Sequence, residues 1–147
     1  MAVNRIPPAA LLLGLAGLVP FLFGALVSLD WVNTSLDAAV HGRLLLVRYG
    51  VIILSFMSGA LWSFATKAQG RQAAICYALS TVPALWVFLN PGSDADTALI
   101  NLMIGFAGVL ILDFAFHRWE LTPPWWLTLR IQLTAIVLIC LAVGLWA

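Results

Sequence analysis

Charge is scarce in this chain. Only 9% of its 147 residues are Asp, Glu, Lys or Arg, seven basic against six acidic, where a soluble domain carries about 25%. The shortage excludes a water-facing surface over most of the chain and leaves no basic patch of the kind that binds nucleic acid. Cysteine is scarcer still: Cys76 is expected near one membrane face and Cys140 near mid-membrane, so neither a disulfide nor a metal-ligand spacing is available. Both are read as packing residues. The two histidines, His41 and His117, fall at opposite ends of apolar segments and cannot jointly hold one haem within a monomer. No phosphate-cradling glycine loop occurs, and no nucleophile, base and orienter share one depth. No cofactor and no enzymatic activity are expected.

What remains is apolar. Hydrophobic residues make up 63% of the chain, and the mean hydropathy is +1.05. About 20 apolar helical residues cross a hydrocarbon core, and five stretches reach or approach that length. They are 8–29, 44–66, 73–90, 97–116 and 123–147, the last with its apolar run from Arg130. The expected fold is therefore an all-α integral membrane protein, one five-helix bundle over residues 1–147 with short polar connections. The first run exceeds the h-region of a signal peptide, about 7 to 15 residues, and no A-x-A-like site follows near Ser28 to Trp31, so it reads as a retained helix.

Five crossings put Arg5, Lys67, Arg71, Arg118 and Arg130 on one side and Arg43 and Arg48 on the other, with Asp30, Asp37, Asp94 and Asp96. The positive-inside rule then predicts a cytoplasmic N-terminus and a periplasmic C-terminus. Trp31, Trp86 and Trp146 near the outer ends, and Trp62, Trp119, Trp125 and Trp126 near the inner ones, are placed as an aromatic belt. In "LTPPWW", Thr122 is expected to cap a helix whose first position is Pro123. In "GSDAD", Ser93 and Asp96 have capping-box spacing, with Asp94 and Asp96 at the positive end of the fourth helix's dipole. Pro20 and Pro83 are expected to bend the first and third helices.

At about 100° per residue, Arg48, Ser55, Gly59, Ser63 and Thr66 share an arc of about 80° on the second helix. Small residues let helices approach closely, so this stripe is expected to face the bundle and carry Arg48 inward. Parallel stripes are Ala10, Gly14, Gly17, Gly24 and Ser28 on the first helix, and Thr97, Asn101, Gly105 and Gly108 on the fourth. These three helices are the expected tight core. Arg48 is then either a tie to Asn101, Asp94, Asp96 or Asp30, the favoured reading, or a charge for a ligand. Asp113, four residues before His117 and close to Arg118, is either an inner-edge salt bridge or hydrogen bond, again favoured, or a proton-accepting pair.

Together, "RIPPAALLLGLAGLVPF", "YGVIILSFMSGALW" and "PPWWLTLRIQLT" resemble the family called domain of unknown function 3429, small membrane proteins of proteobacteria whose domain also occurs in a mitochondrial transmembrane protein. The resemblance covers nearly the whole chain and is most specific at Tyr49-Gly50 with "ILSF" and at Trp125 to Thr134. Ser58 stands where the family pattern has a second glycine, a departure that bears on close packing there. The resemblance implies a multi-pass inner-membrane protein of bacteria and no established activity. Arg43, Tyr49, Gly50 and Ser55, with Trp125, Leu129, Arg130 and Thr134, are motif positions only; Gly59 falls in the same second-helix stretch. The favoured function is a non-enzymatic accessory, assembly or structural component of a larger inner-membrane complex, or a homo-oligomer. The alternative is a small oligomeric transporter or channel subunit with a polar site at Arg48 or Asp113, motivated also by Pro20 and Pro83.

Overall fold

The computed structural model describes residues 5–32 and 38–147; Asp37, counted above among the outer acids, lies outside them. Among the described residues every regular element is helical: α1 (Pro8–Ala16), α2 (Val19–Ser28), α3 (Ala38–Ala65), α4 (Gly70–Leu89), α5 (Ala95–Arg118) and α6 (Trp126–Trp146). Five helical spans are long and apolar enough to cross a membrane, α1 and α2 together making the first.

That first span is broken, and the break precedes Pro20. A proline ring collides with the carbonyl four residues earlier, here Ala16, which is where α1 stops. Leu18 N–H turns back to Leu15 C=O at 3.1 Å, and Pro20 sits in the first turn of α2, where its missing N–H costs nothing. The Gly17 carbonyl is taken up by the Tyr49 hydroxyl of α3, which donates to it at 2.9 Å. Pro83 stays inside α4, and the next N–H, that of Ala84, donates to Ser58 Oγ at 2.9 Å. Ser58 is buried. The serine therefore keeps α3 and α4 in close contact and meets a polar group beside the proline.

α3 is the hub, packed against α2, α4, α5 and α6. From residue 40 onward its buried positions are Gly42, Leu46, Gly50, Leu54, Ser58, Leu61 and Ala65, small and large residues alternating at steps of three or four. The large ones fill the bundle with Phe21, Leu99, Leu102, Phe106 and Leu141, while Leu61 and Ala65 join Cys76, Phe116 and Leu121 in a smaller cluster at the other end. The small ones bring backbones together. A Cβ on Gly42 would stand 2.6 Å from Ser28 N and 2.7 Å from Gly24 O, and one on Gly50 would stand 2.8 Å from a Leu102 methyl.

Here the expected face of the second span is reversed. Arg48, Ser55, Gly59, Ser63 and Thr66 are all exposed, and a Cβ on Gly59 would meet nothing within 4 Å. Two series of small residues run along α3, about half a turn apart. The one alternating with leucine interlocks, whereas the outer one forms local bonds: Ser55 Oγ donates to Val51 O at 2.9 Å and Ser63 Oγ to Ala60 O at 2.8 Å. The stripe of the first span does face the bundle: Gly24 and Ser28 are buried, and Ala10, Gly14 and Gly17 are half-buried.

Two helix starts also differ from expectation. Asp94, not Ser93, caps α5, its Oδ1 accepting from Thr97 N at 2.8 Å. That bond from the Thr97 backbone, seconded by the Thr97 side chain, holds the Asp94 carboxyl below the usual carboxylate range. α6 begins at Trp126, with Pro123 and Pro124 in the preceding turn and Trp126 N–H bonded to Pro123 O at 3.1 Å. Arg130 is consequently inside the last span and not a loop charge.

Candidate functional site

At the end of the bundle where α3 and α5 finish and α6 begins, three polar side chains meet in the apolar interior. Asp113 of α5 is 1% exposed and Arg130 of α6 is 4% exposed. Arg130 Nε donates to Asp113 Oδ2 at 2.9 Å, and Trp126 Nε1 donates to Asp113 Oδ1 at 2.9 Å. The Trp126 ring sits edge-on to Phe64 of α3 at 4.9 Å, so the knot ties three helices. Two donors remain unanswered: Arg130 Nη2 and Thr134 Oγ1 are buried with no hydrogen-bond partner among the described residues.

Arg130 and Thr134 both line one cleft of about 350 Å³. Its walls come from α1 and α2 (Gly14, Phe21), α3 (Met57), α5 (Phe106) and α6 (Leu133, Val137), with Trp125 and Trp126 at its end. The break in the first span contributes directly, since Gly17 and Leu18 line the same space.

The partners of Asp113 differ from those its local sequence suggests. His117, on the same face of α5, instead has its Nδ1 3.1 Å from Thr122 Oγ1 in the following turn, and Arg118 is exposed. A hydrogen bond four residues along a helix competes poorly with a guanidinium and an indole that arrive from the next helix. Spacing on α6 carried the signal: Trp126, Arg130 and Thr134 recur every four residues and so share one face. Arg130 lies four residues inside the start of α6, and Asp113 five residues inside the end of the antiparallel α5. Equal depth follows.

The outer candidates separate into small local ties. Asp96 pairs with Arg43, joining α3 to α5 as Arg48 was expected to do; Asp96 is well exposed, and such a pair contributes about 0 to 1 kcal/mol. Asn101 Nδ2 donates to Asn90 O at 3.1 Å, and Trp86 Nε1 donates to Asn101 O at 2.8 Å, fastening α4 to α5. Arg48 has no hydrogen bond or ion pair among the described residues and stands on the exposed face of α3. Its neighbour Tyr49 points inward, edge-on to Phe21 at 4.9 Å. No group of three or more His, Cys, Asp or Glu side chains able to hold a metal ion occurs among the described residues.

A family model described as "Protein of unknown function (DUF3429)" matches residues 6–146. The chain belongs to that family. Among its relatives, Transmembrane protein 69 of Xenopus tropicalis is 31% identical over 144 residues, an alignment spanning 95% of this chain and 54% of that protein. The chain thus spans about half the length of the curated relative it matches. No solved structure matches it. The match and the five apolar spans make this a multi-pass membrane protein of a family whose function is not established.

Proposed function

We propose that this DUF3429 protein is a non-enzymatic accessory component of a larger complex in the bacterial inner membrane, and that the outer face of α3 is where it docks. The observation behind this reading is Arg48, a cation with no hydrogen bond or ion pair among the described residues, on the same exposed face as Ser55, Gly59, Ser63 and Thr66. Arg48 lies eight residues inside the α3 span that begins at Val40, about 12 Å along the helix. Charged side chains at membrane depth pair with one another or with backbone carbonyls, and hydroxyls with an open glycine favour close contact with another helix.

The partner is a transmembrane helix of another protein that presents a carboxylate or carbonyl at the depth of Arg48. A second copy related by a two-fold axis along the membrane normal fits poorly, because an isologous contact through this face sets Arg48 against Arg48. Transport through Asp113 has less support, since Arg130 and Trp126 already engage both of its oxygens.

Gentle extraction at native expression followed by native electrophoresis tests this. The protein is expected to migrate well above its monomer size. Arg48→Glu is expected to collapse that band to monomer while changing thermal stability of the purified chain by less than about 0.5 kcal/mol, as for an exposed position with no hydrogen bond or ion pair among the described residues. Migration of the unaltered protein only as monomer overturns the reading.

The orientation belongs to the same proposal. Arg5 and Lys67 outside the spans, with Arg71 and Arg118 at the ends of theirs, favour a cytoplasmic N-terminus, even without Arg130. A cysteine at Ser93 is expected to react with an impermeant maleimide on intact cells, and one at Gln69 only after permeabilisation. Background is low because Cys76 and Cys140 are buried. The reverse labelling would invert the topology.

A further inference from the structure

We propose that the cleft between α1, α2, α3 and α6 binds a membrane amphiphile whose polar end is a carbonyl that accepts hydrogen bonds from Arg130 Nη2 and Thr134 Oγ1 while its apolar body lies along Phe21, Met57, Leu133 and Val137. Buried polar groups are nearly always hydrogen-bonded. Here two with no partner among the described residues sit one helical turn apart, on residues that are 4% and 1% exposed and that both line the same space. Nothing apolar satisfies them. The other walls are aliphatic, aromatic or glycine, so whatever answers the two donors carries a hydrocarbon body.

Charge narrows the polar end. Arg130 is already neutralised by Asp113, and an anion entering the cleft would leave the buried set with a net negative charge, which a low-dielectric site disfavours. A neutral acceptor meets the N–H and the hydroxyl without that penalty, and a carbonyl oxygen with two lone pairs accepts both. Depth narrows it further. Arg130 lies four residues inside α6, about 6 Å along its axis, close enough to the end of the span for a carbonyl at the membrane interface to reach it.

Size and opening agree. A cleft of about 350 Å³ falls at the lower end of ligand sites, roughly 300 to 1,000 Å³, so the head and the first part of a chain fit and the rest must leave. Leu13 of α1 and Phe56 of α3 line the cleft and are 74% and 67% exposed, placing its mouth on the outer surface of the bundle. The site needs no partner chain, and so stands apart from the docking face of α3.

Two sources share this chemistry, an acyl ester of a phospholipid and the ring carbonyl of an isoprenoid quinone. The full chain, stripped of lipid in detergent, would be titrated with diacyl phosphatidylethanolamine, with its diether analogue lacking the ester carbonyls, and with decylubiquinone. Thermal shift and native mass spectrometry report the lipids, and quenching of Trp125 and Trp126 emission reports the quinone. Saturable binding of the diacyl form at least tenfold tighter than the diether assigns a lipid; saturable quenching assigns a quinone. In either case Thr134→Val is expected to weaken binding about tenfold, roughly the loss of one hydrogen bond. Gly14→Leu, whose side chain would enter the cleft beside Leu133, is expected to abolish binding in a chain that still melts cooperatively. Diacyl and diether lipids binding alike, with no quinone quenching and no effect of Thr134→Val, would overturn the assignment.

Discussion

Asp113→Ala is expected to cost about 3 to 5 kcal/mol of stability, the usual consequence of removing one member of a buried ion pair. The loss comes less from the missing bond than from what remains. Arg130, 4% exposed, would keep its charge with no carboxylate in reach, and Trp126 Nε1 would lose its acceptor. Asp113→Asn should do less harm, because its amide oxygen can still accept one of those two bonds. The decisive variant is the double replacement Asp113→Leu with Arg130→Met, which removes both charges at once. Apolar substitutes for a buried pair are often neutral or stabilising, so the double variant should recover most of the loss, short of about 1 kcal/mol for the stranded indole. Unfolding in detergent of the three variants against the unaltered chain measures this. If Asp113→Ala unfolds like the parent, the knot is not what holds α5, α6 and α3 together.

The same knot marks where reading the sequence succeeds and where it stops. All five spans are legible as apolar runs, because a bilayer demands length and hydropathy and little else. Their ends shift by a few residues where the chain is polar but still helical: α3 begins by Ala38, ahead of the apolar run, since Gly42 and Arg43 are helical without being hydrophobic. Asp113 stood out as an intramembrane acid. Its partner did not, because a search along one helix favours His117 and the true partner comes from the next helix. Tyr49 had weight only as a motif residue, and its role depends on the break at Gly17, a long-range pairing that no local pattern encodes. Ser58 behaves likewise, its hydroxyl explained by the proline of a neighbouring helix.

α3 supplies the sharpest test, because one substitution at two of its glycines should give opposite results. Gly42→Leu places carbon where the backbone of α2 already lies, 2.6 Å from Ser28 N and 2.7 Å from Gly24 O. Backbone cannot rotate aside as a side chain can, so the first two spans must part. The expected loss is at least the 1 to 3 kcal/mol or so of ordinary overpacking, read as a large drop in melting temperature of the purified chain. Gly59→Leu meets nothing within 4 Å, and leucine suits a helix better than glycine, by about 0.5 to 1 kcal/mol. The purified chain should therefore be as stable as the parent or slightly more so. Inside the cell the ranking changes. If the outer face of α3 seats a partner helix, Gly59→Leu should abolish the high-mass species on native electrophoresis while leaving a well-folded monomer. A Gly59→Leu protein that still assembles would remove the outer stripe from consideration as a docking face, and a Gly42→Leu protein that melts like the parent would remove the close crossing of α2 and α3.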